Sequence, residues 1–243
     1  MRRSTKREIW EANKLIVATR EKLLALLQKG KKVHIVWDFD GVLIDSRSED
    51  VFAISGFDLY KYFSHEECLL FESPSPGPWI LPFICNEELK PYFQSGQLTQ
   101  DIVTARSSDI SLRVHMFCLT WNLLVRWMLF LGHQPKKESY RIILQSLKND
   151  PDCYIFCIDD AVKHIQAFNE ISVELGIRER TFSVVAPVIR TYTEKELKEY
   201  ITRIIEAEGD DPIRVRDPSD DMRGYIVLPS GLKGFRKRLG AFR

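Results

Sequence analysis

Cysteine is scarce: the 243 residues hold five, at positions 68, 85, 118, 153 and 157. The count is odd, the spacings are irregular and most lie in apolar stretches. That excludes a disulfide framework and reads as reduced core thiols in a cytoplasmic protein. Cys153 and Cys157 stand four apart, but no second Cys/His pair of ligand spacing accompanies them, which argues against a zinc site. Net charge is also nearly absent, with 35 Lys and Arg against 34 Asp and Glu. Together with a 44% hydrophobic content, that balance excludes a disordered chain. The sequence has no Gly-X-Y period, heptad-rich composition, internal repeat or low-complexity tract, so a fibrous class is excluded. The start, MRRSTKREIW, has no apolar core and no small-residue cleavage site, and no signal peptide is expected there. The longest apolar stretch, Leu112 to Leu131, is interrupted by Arg113, His115, Asn122 and Arg126. Those groups would be costly in hydrocarbon, so the stretch reads as a buried helix followed by a buried strand, with no membrane partner.

What is present is a chain long enough for one sizeable core. Residues 5–28 carry Ile9, Ala12, Leu15, Ile16, Leu23, Leu24 and Leu27 at roughly helical spacing, with Gly30 as a stop. Strands fit Val33–Trp37, Asp101–Thr104, Trp127–Leu131, Cys153–Ile158 and about 181–186. Helices fit about 109–124, 137–148, 161–175 and 194–207 between and after them. Alternation of this kind predicts an α/β fold, a doubly wound parallel sheet. Residues 47–90 interrupt it with Ser73-Pro74-Ser75-Pro76-Gly77-Pro78, which reads as a small cap insertion after the first strand. The expected organisation is an amphipathic helix over 1–30, an α/β core over 31–207, and a C-terminal extension over 208–243. That extension has room for a short hairpin around 213–227 and ends in a basic tail.

Ligands of such sheets bind beyond the carboxyl ends of the strands, where this chain places Asp38 and Asp40, Thr104, and Asp159 with Asp160. Asp38 and Asp40 flank Phe39, and Gly41 lets the backbone turn sharply. Two carboxylates this close repel unless a cation sits between them, and their oxygens suit magnesium. Asp159 and Asp160, from a separate strand end, would supply the remaining charge. The plainer reading is two pairs of turn and helix-capping aspartates. It fits either pair alone better than it fits both at the ends of apolar strands.

The segments Trp37-Asp38-Phe39-Asp40-Gly41-Val42-Leu43, then Val103-Thr104-Ala105-Arg106, then a lysine opening a helix, then Phe156-Cys157-Ile158-Asp159-Asp160 resemble the four ordered motifs of the haloacid dehalogenase-like (HAD) hydrolase superfamily. The resemblance covers about residues 33–186, with no close subfamily match. It implies a HAD-like Rossmannoid phosphatase, a phosphoric monoester hydrolase. The small insert leaves the cleft relatively open, which suits a nucleotide, another small phosphorylated metabolite or a phosphorylated end on a larger polymer. Asp38 would be the nucleophile that forms an aspartyl-phosphate. Asp40 would protonate the leaving oxygen and then deprotonate the attacking water. Thr104 and the Ala105 amide would hold the phosphoryl group. Magnesium would sit on Asp38, the Asp40 carbonyl and Asp159, with Asp160 as a direct or water-mediated partner.

The lysine is ambiguous, because Lys136 and Lys137 both follow Pro135 at a helix start; spacing to Leu147 and Asp159 leans to Lys136. The fourth motif departs from the commonest form. No acidic residue stands four or five places on, where Lys163, His164 and Ile165 are found. His164 reads as a capping or surface residue that could also touch substrate. Arg106 is either a ligand for a second anionic group or a helix-start partner of Asp109, and Asp45 is a candidate cap. Trp79, Phe83, Tyr60 and Tyr62 are either base-stacking residues or a small core of the insert. Residues 1–32 hold ten Lys/Arg against three Glu, and residues 232–243 hold five against none. A HAD-fold binding module that holds nucleic acid or a protein partner by these ends is the alternative function, although no nucleic-acid motif accompanies the charge. Nothing in the sequence bears on oligomeric state.

Overall fold

A computed structural model describes residues 1–47, 50, 76–108, 111–132, 134–207, 214–216 and 225–227. Tyr60, Tyr62, Cys68, Asp109, the tip of the expected insertion and the basic tail 232–243 lie outside the described residues.

Helix α1 (Lys6–Gln28) starts at a capping box in which Thr5 and Glu8 satisfy each other's backbone amides. Its buried stripe, Ala12, Ile16, Thr19, Leu23 and Leu27, recurs every three or four residues. The chain then enters β1 (Lys32–Trp37), buried in all but its first residue. A short helix α2 (Lys90–Gln94) precedes β2 (Leu98–Thr104), followed by α3 (Ser111–Thr120), β3 (Met128–Phe130), α4 (Lys137–Leu147), β4 (Cys153–Asp159), α5 (Val162–Glu174), β5 (Thr181–Val185) and α6 (Glu194–Ala207). The five strands form one parallel sheet in the order β3-β2-β1-β4-β5. This is the doubly wound α/β fold. Strands β6 (Arg214–Arg216) and β7 (Tyr225–Val227) pair as a separate antiparallel ribbon.

One face of the sheet, through Val33, Ile35 and Trp37, packs on α1, α3 and the helical turn Ile80–Ile84. The other, through Val36, Val103 and Cys157, packs on Tyr140, Ile143 and Leu144 of α4 and Ile165, Phe168 and Ile171 of α5. Each such side chain, fully buried, contributes about 1.5–3 kcal/mol. Trp79 and Phe83 are fully buried against Trp37, with ring centroids 6.2 and 5.5 Å away, so they are core residues with no face left for a base. The limb that returns from the expected insertion lies against the first strand–turn: the Gly77 amide donates to the Leu43 carbonyl at 2.7 Å, and a Cβ on Gly77 would fall 2.0 Å from the Val42 oxygen.

Two expectations need correction. Strand β2 begins at Leu98, before the apolar run, because Thr99, Gln100 and Asp101 are polar residues with partners waiting inside. His34 Nδ1 lies 2.8 Å from Thr99 Oγ1 and its Nε2 lies 3.1 Å from Asp101 Oδ2. Arg126 donates to both Asp101 oxygens, and the Trp37 indole donates to Gln100 at 2.9 Å. The stretch from Leu112 to Leu131 is not buried throughout. Helix α3 ends at Thr120, Asn122 turns the chain with φ 51°, and Leu119 and Leu124 stand 73% and 69% exposed. Among the described residues no helix is long and apolar enough to cross a membrane.

Candidate active site

The register of the sheet builds the site. Trp37 pairs with Ile158 on β4 and Ile102 on β2, so the residues that follow emerge side by side at the carboxyl edge. Asp38 leaves β1 next to Asp159 at the end of β4, and Thr104 closes β2 on the other side. Asp38 keeps extended backbone and the chain then turns tightly over Phe39–Leu43, with Gly41 at φ 72°. Only glycine serves there twice over. The φ is costly for other residues, and a Cβ would fall 2.7 Å from Asp160 Oδ2. The bare glycine is what lets Asp160 approach the first turn.

Lys136 stands between the two strand ends. Its Nζ lies 2.7 Å from Asp38 Oδ1 and 2.7 Å from Asp159 Oδ2, and its side chain is 2% exposed. Tyr140, one helical turn on, donates its hydroxyl to the same Asp159 oxygen at 3.0 Å. Residues four apart share a helix face, whereas Lys137, one step round, points away. Lys137 pairs with Glu170 on α5 at 2.8 Å and is not brought to the aspartates. The other Asp159 oxygen accepts the Ala161 amide at 2.9 Å and lies 3.0 Å from His164 Nδ1.

Arg106 leaves the end of β2 and grips Asp40 with both arms, Nε to Oδ2 at 2.7 Å and Nη2 to Oδ1. Its guanidinium also sits 5.7 Å from the Phe39 ring centre. Its amide donates to Thr104 Oγ1 at 3.2 Å, and Thr104 is fully buried. Asp45 accepts the Arg47 amide at 3.1 Å as a local turn cap.

The electrostatics are uneven. Burial pushes the Asp38 carboxyl well above the ordinary range, and the charges of Asp159 and Asp40 push the same way against the pull of Lys136. Burial works against the Asp159 anion too, but the hydrogen bond from His164 and the Lys136 ammonium overrule it and hold the group at about 2. Asp160 is raised to about 6, by burial first and then by its acidic neighbours. Burial disfavours the Lys136 ammonium, yet Asp38 and Asp159 hold it above an ordinary lysine.

Four carboxylates therefore meet at one edge with two nearby cations, Lys136 and Arg106. Asp38, Asp159 and His164 each present one donor atom, all three within 4.8 Å of one another. Carboxylate oxygens around a charge deficit fit a hard divalent cation, and the raised Asp38 and Asp160 groups mark the deficit. The sequence reading missed two contacts. The sequence pairs Arg106 with Asp109 or an anionic ligand and gives no sign of its grip on Asp40. His164, by sequence a capping or surface residue that could also touch substrate, lies against Asp159. The signal for His164 was present: it stands five residues past Asp159, in the stretch where an acid is usual.

The 5'-nucleotidase family model matches residues 11–177. The chain belongs to the 5'-nucleotidase family. It is therefore a HAD-like phosphatase, a hydrolase of phosphomonoesters, and the nucleotidase match covers β1 to β4 with their carboxyl ends. No curated protein matches the chain. Among solved structures, it is similar to the class C acid phosphatase from Bacillus anthracis, with 13% identity over 82% of this chain and 91% of that one and a TM-score of 0.47. It is similar to the HAD domain of effector protein Lem4 from Legionella pneumophila, with 13% identity, 72% and 95% coverage and a TM-score of 0.40. A putative beta-phosphoglucomutase from Thermotoga maritima is similar at 16% identity, 69% and 90% coverage and a TM-score of 0.33.

Proposed function

We propose that this nucleotidase-family chain hydrolyses nucleoside 5'-monophosphates, or another small phosphorylated metabolite, with magnesium and through a phosphorylated Asp38. The observation that carries the reading is Lys136, held 2.7 Å from both Asp38 and Asp159 at the ends of neighbouring strands. One ammonium facing two buried carboxylates positions a nucleophile and puts a cation where the anionic oxygens of a phosphoryl group would bind. The family's substrate class supports the nucleotide.

An Asp38 oxygen attacks phosphorus in line and the bond to the ester oxygen breaks. Asp40 gives its proton to the departing alcohol. Water then attacks the phosphorus of phospho-Asp38 and passes a proton to Asp40. The acyl phosphate bond breaks, releasing inorganic phosphate and restoring Asp38. Thr104, the Ala105 amide and Lys136 hold the phosphoryl oxygens. For Asp40 to act, Arg106 must release at least one of its oxygens, and the incoming phosphate dianion offers the guanidinium another partner. Magnesium held by Asp38, the Asp40 carbonyl and Asp159, with Asp160 beside them, would neutralise charge on the transferring group. The free, buried Cys118, Cys153 and Cys157 support a reducing, cytoplasmic setting.

A binding module using the basic N-terminal segment is less well supported. Arg3 pairs with Glu196, Lys31 with Asp152 and Lys32 with Asp150, so much of that charge is already answered within the chain. The test is phosphate release from a panel of nucleoside monophosphates and sugar phosphates, with magnesium or with chelator, by wild type and Asp38→Asn. Magnesium-dependent turnover by wild type alone is expected. Equal turnover by both proteins would remove Asp38 as nucleophile.

A further inference from the structure

Asp159 has more partners than a metal ligand should keep. Its Oδ2 accepts from Lys136 and Tyr140, and its Oδ1 is occupied by the Ala161 amide and by His164 Nδ1. For this carboxylate to take a cation, one partner must yield. Three are poorly placed to do so. Lys136 is buried between two carboxylates, Tyr140 is 1% exposed in the core, and the Ala161 amide is fixed by the start of α5. His164 is different. Its side chain is 21% exposed while that of Asp159 is 1% exposed, so the imidazole sits at the rim and has solvent to turn into. It is also the one partner whose atom becomes a ligand once its proton moves to the other ring nitrogen.

Its position adds to this. His164 lies in the first turn of α5, five residues after Asp159, and no carboxylate stands four or five places after that aspartate. The place of a further acidic group is taken by a nitrogen donor. Its Nδ1 lies with oxygens of Asp38 and Asp159 inside one 4.8 Å cluster, and among the described residues no other group of three His, Cys, Asp or Glu side chains offers such a set.

We propose that His164 is a direct ligand of the metal site, adding an imidazole nitrogen to the Asp38 and Asp159 carboxylates. The site then favours manganese or cobalt over magnesium more strongly than an all-oxygen site would. Imidazole adds little affinity for magnesium, which prefers oxygen and retains its waters, and much more for later divalent metals. Magnesium supports turnover because it is abundant; the tighter ion is the softer one. This inference rests on the metal reading of the proposed function.

The experiment uses the full chain without a histidine tag, stripped of metal and loaded with manganese. Pulsed electron paramagnetic resonance reads nitrogen coupled to the ion, and calorimetry reads manganese and magnesium affinities, for wild type, His164→Gln and His164→Asp. Wild type should show directly bound nitrogen, and both variants should lose it. The ratio of manganese to magnesium affinity should fall about tenfold in His164→Gln, the low end of what removing even a group behind a metal ligand costs. His164→Asp should bind magnesium at least as well as wild type does. Manganese bound to wild type without nitrogen coupling would overturn the proposal while leaving the magnesium phosphatase intact. So would an unchanged ratio in His164→Gln. Wild type that binds neither ion would overturn both readings. The wild-type spectrum decides the point even where a variant fails to fold.

Discussion

Two groups of buried charge sit a few residues apart on the same strands and behave in opposite ways. In the middle of the sheet, Asp101 is fully buried and fully answered. It meets His34 on one oxygen, Arg126 on both and the Trp127 amide at 3.0 Å, and its carboxyl is held below the ordinary range even though burial pushes it upward. At the carboxyl edge, Asp38 is buried and Asp160 half-buried among other acids, and both are pushed up. The first group closes its own hydrogen-bond account and needs nothing further. The second is left short of positive charge by the protein alone. A buried carboxylate is therefore not by itself a functional sign; one whose partners fail to balance it is.

The contrast can be broken most sharply with Asp38→Asn. Phosphate release should drop at least a thousandfold, equivalent to about 4 kcal/mol of barrier. The metal-free variant should melt no lower than wild type, since a crowded charge is removed. A large fall in its melting temperature would make Asp38 a structural residue like Asp101. The mirror experiment is Asp101→Asn, which strands His34 and Arg126. It should destabilise the fold by about 3–5 kcal/mol in denaturant titrations, and the protein that remains folded should keep its turnover number.

Arg106→Ala tests the boundary between the two groups, because Arg106 answers Asp40 as Arg126 answers Asp101. If the Arg106 pair serves the site, kcat/KM should fall about tenfold to a hundredfold, with a melting temperature within a few degrees of wild type. A mainly structural pair would reverse that pattern. The smallest effect concerns pH. Burial holds the His34 proton affinity below its ordinary value of 6.5, so the unfolded chain protonates first as pH falls. Stability from a neutral, buried His34 is complete above about 6.5 and declines as pH drops below it. Asp38 and Asp160, both raised, work in the opposite direction over the same range, so the reading is a difference: in metal-free melting curves between pH 7 and 5, wild type should lose stability relative to His34→Gln as pH falls.

Much of this was legible along the chain. Short β-branched runs alternating with amphipathic helices lead to a parallel sheet, because a strand buried on both faces has no other composition available. Asp38, Asp40, Thr104, Asp159 and Asp160 stood out because polar residues punctuated apolar strands. Partners across the fold were harder to read. Thr99 and Gln100 fall outside the strand the sequence predicts, because their companions, His34 and Trp37, lie far off in sequence. Leu119 and Leu124 looked like core because apolar composition does not say which face is covered.

The sequence by itself determined the alternation of elements, the punctuated strand ends and the presence of two adjacent candidate lysines. Only the folded arrangement decided that Lys136 and not Lys137 stands between the acids, that Arg106 holds Asp40, and that His164 reaches Asp159. Local spacing sets periodicity and turn chemistry. Which side chain faces which charge depends on strand register and helix phase, and those are settled only when the whole core packs.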